Sequence, residues 1–272
     1  MRRATLFKKI QQKKSYLCIG LDPAMHKIPQ HLLQYDDPMF EFNKQIIDAT
    51  LPYCVAYKPN VAFYEALGTK GWETLEKTFN YLPPEIFTIA DAKRGDIGNT
   101  SAYYAQAFFE HMNVDAITVV PYMGEDTVKP FLKYKNKWMI LLALTSNASS
   151  KDFQTLYLKD SHEQLFERVV KESLLWATPD QLMFVVGATQ AKMLTKIRTM
   201  IPQHFLLIPG VGTQGGCLEE VSKLGMNQQC GLLVNVARSI IYASKGKDFA
   251  SQAAASAKKL QQEMEKFLTI FL

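Results

Sequence analysis

Eight short runs of apolar and β-branched residues punctuate the chain, and each stops at a polar or Gly/Pro-rich cluster. They cover 16–21, 55–57, 87–90, 116–120, 138–144, 183–186, 205–208 and 231–234. The apolar residues in these runs are contiguous rather than alternating, as expected of strands covered on both faces. Between the runs the pattern changes to a helical period. The stretch 40–51 places Phe40, Ile47 and Leu51 on one face, and 101–112 places Tyr104, Ala107 and Phe108 together. The stretches 192–200 and 251–267 behave similarly. Buried strands alternating with amphipathic helices predict a parallel sheet with helices outside it. Eight such units in a chain of this length match a (β/α)8 TIM barrel of about 250 residues. An open doubly wound sheet would carry its glycine-rich turn after the first strand. Here that position reads Gly20-Leu21-Asp22-Pro23, and the glycine-rich loop follows the seventh run instead. No Pro/Gly/Ser linker divides the sequence, so 1–272 is expected to form one barrel domain. The longest irregular stretch, 147–160, is a candidate mobile loop.

Composition narrows the class without naming a chemistry. With 47% hydrophobic and 21% charged residues, the chain has enough apolar surface to fold as a globule. Thirty-one Lys and Arg against 26 Asp and Glu leave a net charge of +5. The basic residues are scattered, their densest group being Arg2, Arg3, Lys8, Lys9, Lys13 and Lys14, which reads as a solvated first helix. No nucleic-acid reading module accompanies them, so no nucleic-acid partner is expected. The longest strongly apolar run, 138–144, is far short of the ~18 residues that cross a bilayer, and 16–21 is too short for a secretory signal. The four cysteines at 18, 54, 217 and 230 form no C-x-x-C pair, and the five histidines no H-E-x-x-H. Free thiols in a cytoplasmic protein, no metal site, and a buried, inert Cys217 are the expectations.

In a parallel barrel the C-terminal ends of all eight strands open on one face, so their polar clusters converge. The densest is Asp91-Ala92-Lys93-Arg94-Gly95-Asp96. Residues two apart in a strand point the same way, which aims Asp91 and Lys93 at the barrel mouth, with Lys58 from the preceding strand beside them. The plain alternative is a salt-bridged rim that pins a loop. The second cluster is 209–216, Pro-Gly-Val-Gly-Thr-Gln-Gly-Gly, whose glycines allow backbone N–H groups close to an anion. Arg238 follows the eighth run at the start of a helix, where its planar fork suits phosphate. Loops after strands seven and eight are the usual phosphate site of this architecture; a glycine-rich turn without a ligand is the alternative. Asp22 after the first run suits sugar hydroxyls, or a turn or cap. Ser146 and Asn147 after the fifth suit a polar ring, or a turn. Thr100 reads first as the cap of the helix 101–112, and Tyr122 and Phe63 as core rather than cavity wall.

Together, Lys58-Pro-Asn-Val-Ala-Phe-Tyr-Glu65, Asp91-Ala-Lys-Arg-Gly-Asp-Ile-Gly-Asn-Thr100, Thr145-Ser-Asn147, Val186-Gly-Ala-Thr189 and the 209–216 loop resemble the orotidine 5′-phosphate decarboxylase family, in its longer bacterial branch. The resemblance runs from Asp22 to Arg238. It implies loss of CO2 from orotidine 5′-monophosphate to give uridine 5′-monophosphate, the last step of pyrimidine nucleotide synthesis, without metal or organic cofactor. It further implies a homodimer in which Lys58, Asp91, Lys93 and Asp96 form a charged network, with Asp96 and Thr100 reaching into the partner's site. Asp22 would hold the ribose, Ser146 the pyrimidine, and Gln214, the Ala237 backbone and Arg238 the phosphate. Two positions depart from relatives: Gly98 stands where shorter members often have proline, and Ala237 where glycine is usual. The alternatives are a metal-dependent sugar-phosphate decarboxylase or aldolase on the same barrel, and a non-catalytic phosphate-ligand sensor or weak RNA binder.

Overall fold

A computed structural model describes residues 1–212 and 215–272. The strands are β1 (Leu17–Leu21), β2 (Ala56–Pro59), β3 (Phe87–Arg94), β4 (Ala116–Val119), β5 (Trp138–Leu144), β6 (Leu182–Val186), β7 (Phe205–Pro209) and β8 (Leu232–Val236). Each pairs in parallel with its sequence neighbours, and β8 closes on β1, so the sheet is a complete barrel with no free edge. The open-sheet alternative is thereby excluded. Among the described residues the α-helices are α1 (Arg3–Lys13), α2 (Pro38–Thr50), α3 (Val61–Glu65), α4 (Thr69–Tyr81), α5 (Asn99–Gln106), α6 (Glu125–Leu132), α7 (Leu165–Ser173), α8 (Ala191–Met200), α9 (Leu218–Gly225), α10 (Arg238–Ile241) and α11 (Phe249–Phe271).

Large side chains from alternate strands fill the barrel floor. Phe87 of β3, Trp138 of β5 and Phe205 of β7 meet edge to face, with ring centroids 6.1 and 6.3 Å apart. That geometry suits the ring quadrupoles, and the layering from alternate strands is how this barrel closes its lower end. Outside, Phe249 of α11 stacks on Phe42 of α2 at 5.2 Å.

Two helix faces differ from the expected ones. In α2 the buried stripe runs through Met39, Phe42, Asn43, Ile46, Ile47 and Thr50, leaving Phe40 and Leu51 at its margin. Asp37 caps the helix by accepting from the Phe40 N–H, and Pro38 starts it, which sets the rotation that buries the more voluminous stripe. In α5 the buried positions are Ser101 and Ala105, followed by Phe108 and Phe109, while Ala107 is exposed. The helix continues there as a π-helical turn over Ala107–His111, and the wider turn shifts the face.

Candidate active site

The C-terminal ends of the strands enclose a cavity of about 540 Å³. Asp22 from beyond β1, Asn60 from beyond β2, Asp91 and Lys93 of β3, Thr118 of β4, Ser146 after β5 and Arg238 after β8 all line it. Its volume falls in the range of small-molecule sites.

β3 runs four residues further than its apolar core suggests, through Asp91-Ala92-Lys93-Arg94. A strand reading from hydrophobicity stops at Ala90 because charged residues are poor strand formers. The strand continues because Asn60 bridges to Asp91 on one side and Arg94 pairs with Val119 on the other. The β3–β4 register shifts between Ala90 and Arg94, and within this bulge Lys93 takes a left-handed conformation at φ 48°. A non-glycine residue there is held against a steric cost, a feature concentrated at functional sites.

The side chains form a continuous ion chain. Lys58 Nζ lies 2.7 Å from Asp91 Oδ2, and Lys93 Nζ lies 2.5 Å from Asp91 Oδ1. Lys58 is 4% exposed and Lys93 50%, so Lys58 is the interior member and Lys93 the one open to the cavity. Burial alone would push the Asp91 carboxyl up, but Lys58 and Lys93 outweigh it and hold it well below the usual carboxylate range. Burial would likewise lower Lys58, and Asp91 and Asp22 together raise it above an ordinary lysine. Asp22 differs: burial pushes its carboxyl up, and Lys58 and the Asn60 N–H offset only part of that. Its Oδ1 is buried and makes no hydrogen bond within the chain.

Arg94, the fourth charge of the cluster, turns away from the cavity. It ion-pairs with Glu65, donates to the Ala92 carbonyl at 2.8 Å, and packs over Tyr104 and Phe108. For this residue the salt-bridged rim is the correct description.

At the opposite side, α10 begins at Arg238 with Ala237 before it, as the chain pattern suggested. A Cβ on Gly20 would come within 2.6 Å of the Ala237 methyl, so the β1 glycine leaves the space that this alanine fills. The described ends of the glycine-rich loop are pinned, Gly216 N–H donating to the Gly210 carbonyl at 3.1 Å and Gly212 N–H to the Gly216 carbonyl at 3.0 Å. Gln214 lies outside the described residues.

Gln154 organises the end of β5. It accepts from the Thr145 N–H at 2.8 Å and donates to the Thr145 hydroxyl at 2.9 Å. The region 147–160 is therefore not structureless: it holds a 3₁₀ turn, Ala148–Asp152, and Tyr157 bridges to Gln164. Gly187 lets β6 approach, since a Cβ there would sit 2.7 Å from that of Ser146.

Three expectations are corrected. Thr100 does not cap its helix; α5 starts at Asn99 with Gly98 before it, at φ 59°, which proline's ring forbids. The Ser101 hydroxyl ties this loop instead, its oxygen lying 2.7 Å from the Asp96 carbonyl and 2.8 Å from the Thr127 carbonyl. Asp96 and Thr100, expected in the partner's site, do not line this chain's own cavity. Tyr122 is 85% exposed, so it is neither core nor cavity wall. Cys217 is exposed, because it precedes α9 on the outer side of the loop; the other three thiols are buried, and all four are free.

Asn60, Thr118, Gln154 and Asn235 also line the cavity without having been singled out as site residues. Asn60 reads as a helix cap, which it is, accepting from the Ala62 N–H. Thr118 reads as an ordinary β-former. For Asn60, Thr118 and Asn235 only their places at or beside strand ends signalled a second role; Gln154, ten residues past β5, carries no such signal.

Residues 15–253 match the model of the orotidine 5′-phosphate decarboxylase / HUMPS family. The chain belongs to that family. It is 58% identical to the orotidine 5′-phosphate decarboxylase of Phocaeicola vulgatus, covering 98% of this chain and 99% of that one. It is 60% identical to the protein of the same name from Parabacteroides distasonis, covering 98% and 96%. Among solved structures, the OMP decarboxylase of Leishmania donovani superposes with a TM-score of 0.84 at 34% identity, covering 98% of both chains. The orotidine 5′-monophosphate decarboxylase of Plasmodium berghei gives 0.82 at 26%, over 97% and 99%. Among the described residues no cluster of three or more His, Cys, Asp or Glu could hold a metal ion, and no helix is long and apolar enough to cross a membrane.

Proposed function

We propose that this protein converts orotidine 5′-monophosphate to uridine 5′-monophosphate and CO2, the closing step of pyrimidine nucleotide synthesis, in the cytoplasm. The observation that carries the proposal is the Lys58–Asp91–Lys93 chain, with its half-exposed lysine facing the same cavity as Arg238. Breaking the C6–carboxylate bond leaves its electron pair on a vinylic carbon with no internal electron sink. Charge must then be stabilised by preorganised groups. Lys93 lies opposite that carbon, stabilises the developing carbanion and gives it a proton, regaining one from solvent afterwards. Asp91 fixes the Lys93 ammonium in place, and Lys58 holds Asp91 ionised. Asp22 receives the ribose hydroxyls, which matches a buried carboxylate oxygen that has no partner within the chain. Ser146 reads the pyrimidine. Gln214, the Ala237 backbone and Arg238 bind phosphate, supplying remote binding energy for the reacting end.

The active form is a homodimer, in which Asp96 and Thr100 complete the partner's cavity. Supporting this, Asp96 on the loop after β3 and Thr100 in the first turn of α5 lie outside their own cavity, in a stretch that leaves Ile97 and Tyr103 exposed, and Tyr122 and Met123 after β4 are exposed too. An apolar patch at that place favours a protein contact.

The test is turnover by the purified protein, followed as the absorbance change of orotidine 5′-monophosphate with and without EDTA. Turnover unaffected by EDTA is expected. No turnover, or activity abolished by EDTA and restored by magnesium, would overturn the proposal in favour of the metal-dependent sugar-phosphate chemistry.

A further inference from the structure

Lys93 and Asp91 share a third partner that belongs to neither charge. Thr118 on β4 is 1% exposed, and its hydroxyl lies 2.8 Å from the Lys93 backbone nitrogen and 3.1 Å from Asp91 Oδ1. The β-bulge takes the Lys93 N–H off the regular ladder, pairing Ala90 with Ile117 and Arg94 with Val119, so that two residues of β4 face four of β3. The hydroxyl replaces the missing ladder acceptor. Once its oxygen has accepted from the Lys93 N–H, its single proton is directed to Asp91. We propose that Thr118 is a positioning residue for the decarboxylation: it holds the left-handed turn at Lys93 and, through the same hydroxyl, orients the Asp91 carboxylate against the Lys93 ammonium. Asp91 then has a fully specified set of partners, Lys58 on Oδ2 and both Lys93 Nζ and Thr118 on Oδ1. The hydroxyl serves because its one oxygen both accepts from an amide and donates to a carboxylate; valine, of the same shape, does neither.

This inference rests on the decarboxylase reading above, and the experiment separates the two. Steady-state kinetics with orotidine 5′-monophosphate are measured for the wild type, Thr118→Val, Thr118→Ser and Thr118→Cys. Loss of a hydrogen bond to a charged group predicts kcat about 10- to 100-fold lower in the valine variant. KM stays within about threefold, because phosphate and ribose contacts are untouched. Serine restores most of kcat; cysteine, similar in size but a weak acceptor, does not. The serine–cysteine pair decides the matter even where valine yields no folded protein. A valine variant with wild-type kcat, or serine as slow as cysteine, would overturn the role of Thr118 alone. Absence of turnover in the wild type would overturn the decarboxylase reading, and this inference with it.

Discussion

The two ends of the barrel carry cavities of nearly equal volume and opposite character. At the mouth, about 540 Å³ is lined by ionised groups that face one another and by a carboxylate oxygen without a partner in the chain. At the floor, about 550 Å³ is lined by Arg3, Arg198 and the 226–229 turn. There Arg198 is spent on backbone, donating to the carbonyls of Gly225, Ile201, His204 and Gly231 at 2.7–3.0 Å. Size therefore does not mark a site. What marks it is opposed charges, Asp91 and Lys93, brought together on one cavity wall. The mouth holds a left-handed lysine and a stack of charges; the floor uses its charge to tie loops, in keeping with the division of labour in this architecture.

Substitution at each end should separate these roles. The largest effect is expected from Asp91→Asn, which removes the anion between two lysines. The kcat should fall about 10³-fold or more, with about 3 kcal/mol lost from stability as Lys58 keeps a buried charge less well paired; kinetics and urea unfolding check both. Arg198→Met should do the reverse: about 3 kcal/mol of stability lost as buried carbonyls lose their donor, with kcat and KM within about twofold of wild type.

A smaller effect lies in acid. His204 at the floor is buried with both ring nitrogens unpartnered, and burial, then Arg198 and Arg3, push it down to about 4. Its folded value is below its unfolded one, so its neutral form contributes stability above about pH 6.5 that is lost as pH falls toward 4. His204→Phe should reduce the stability difference between pH 7 and 4.5 by about 2 kcal/mol, read from urea midpoints. The mouth behaves differently in that window. Asp91 is held below the ordinary carboxylate range, so its pairing persists until more acidic pH, while Asp22, pushed up by burial, is the acid-sensitive carboxyl there.

The barrel was legible in the chain because buried parallel strands are contiguous apolar runs, and 138–144 appears in the structure with those same bounds. The charged core of the site was legible because two-residue alternation at a strand end aims Asp91 and Lys93 together. What escaped was tertiary. Nothing local says that β3 continues through four polar residues, since Asn60 and Val119 on other strands hold it. Nothing in Ala116-Ile117-Thr118-Val119 distinguishes a threonine that serves a bulge from one that merely favours strand. Arg94 and Lys93 are neighbours of like charge in sequence, yet one is spent on Glu65 and the other faces the cavity. Residue type makes Tyr122 core and Thr100 a cap; instead Tyr122 is exposed on the loop after β4 and Thr100 lies within the first turn of α5.

The central claim is that the mouth's lysine performs the chemistry while other groups bind the nucleotide. The direct measurement is Lys93→Ala, comparing turnover of orotidine 5′-monophosphate with equilibrium binding of uridine 5′-monophosphate. In this variant kcat should be at least about 10⁴-fold lower, with nucleotide affinity within about tenfold of wild type and an unchanged fold by circular dichroism. Near-wild-type turnover in the purified variant would contradict it.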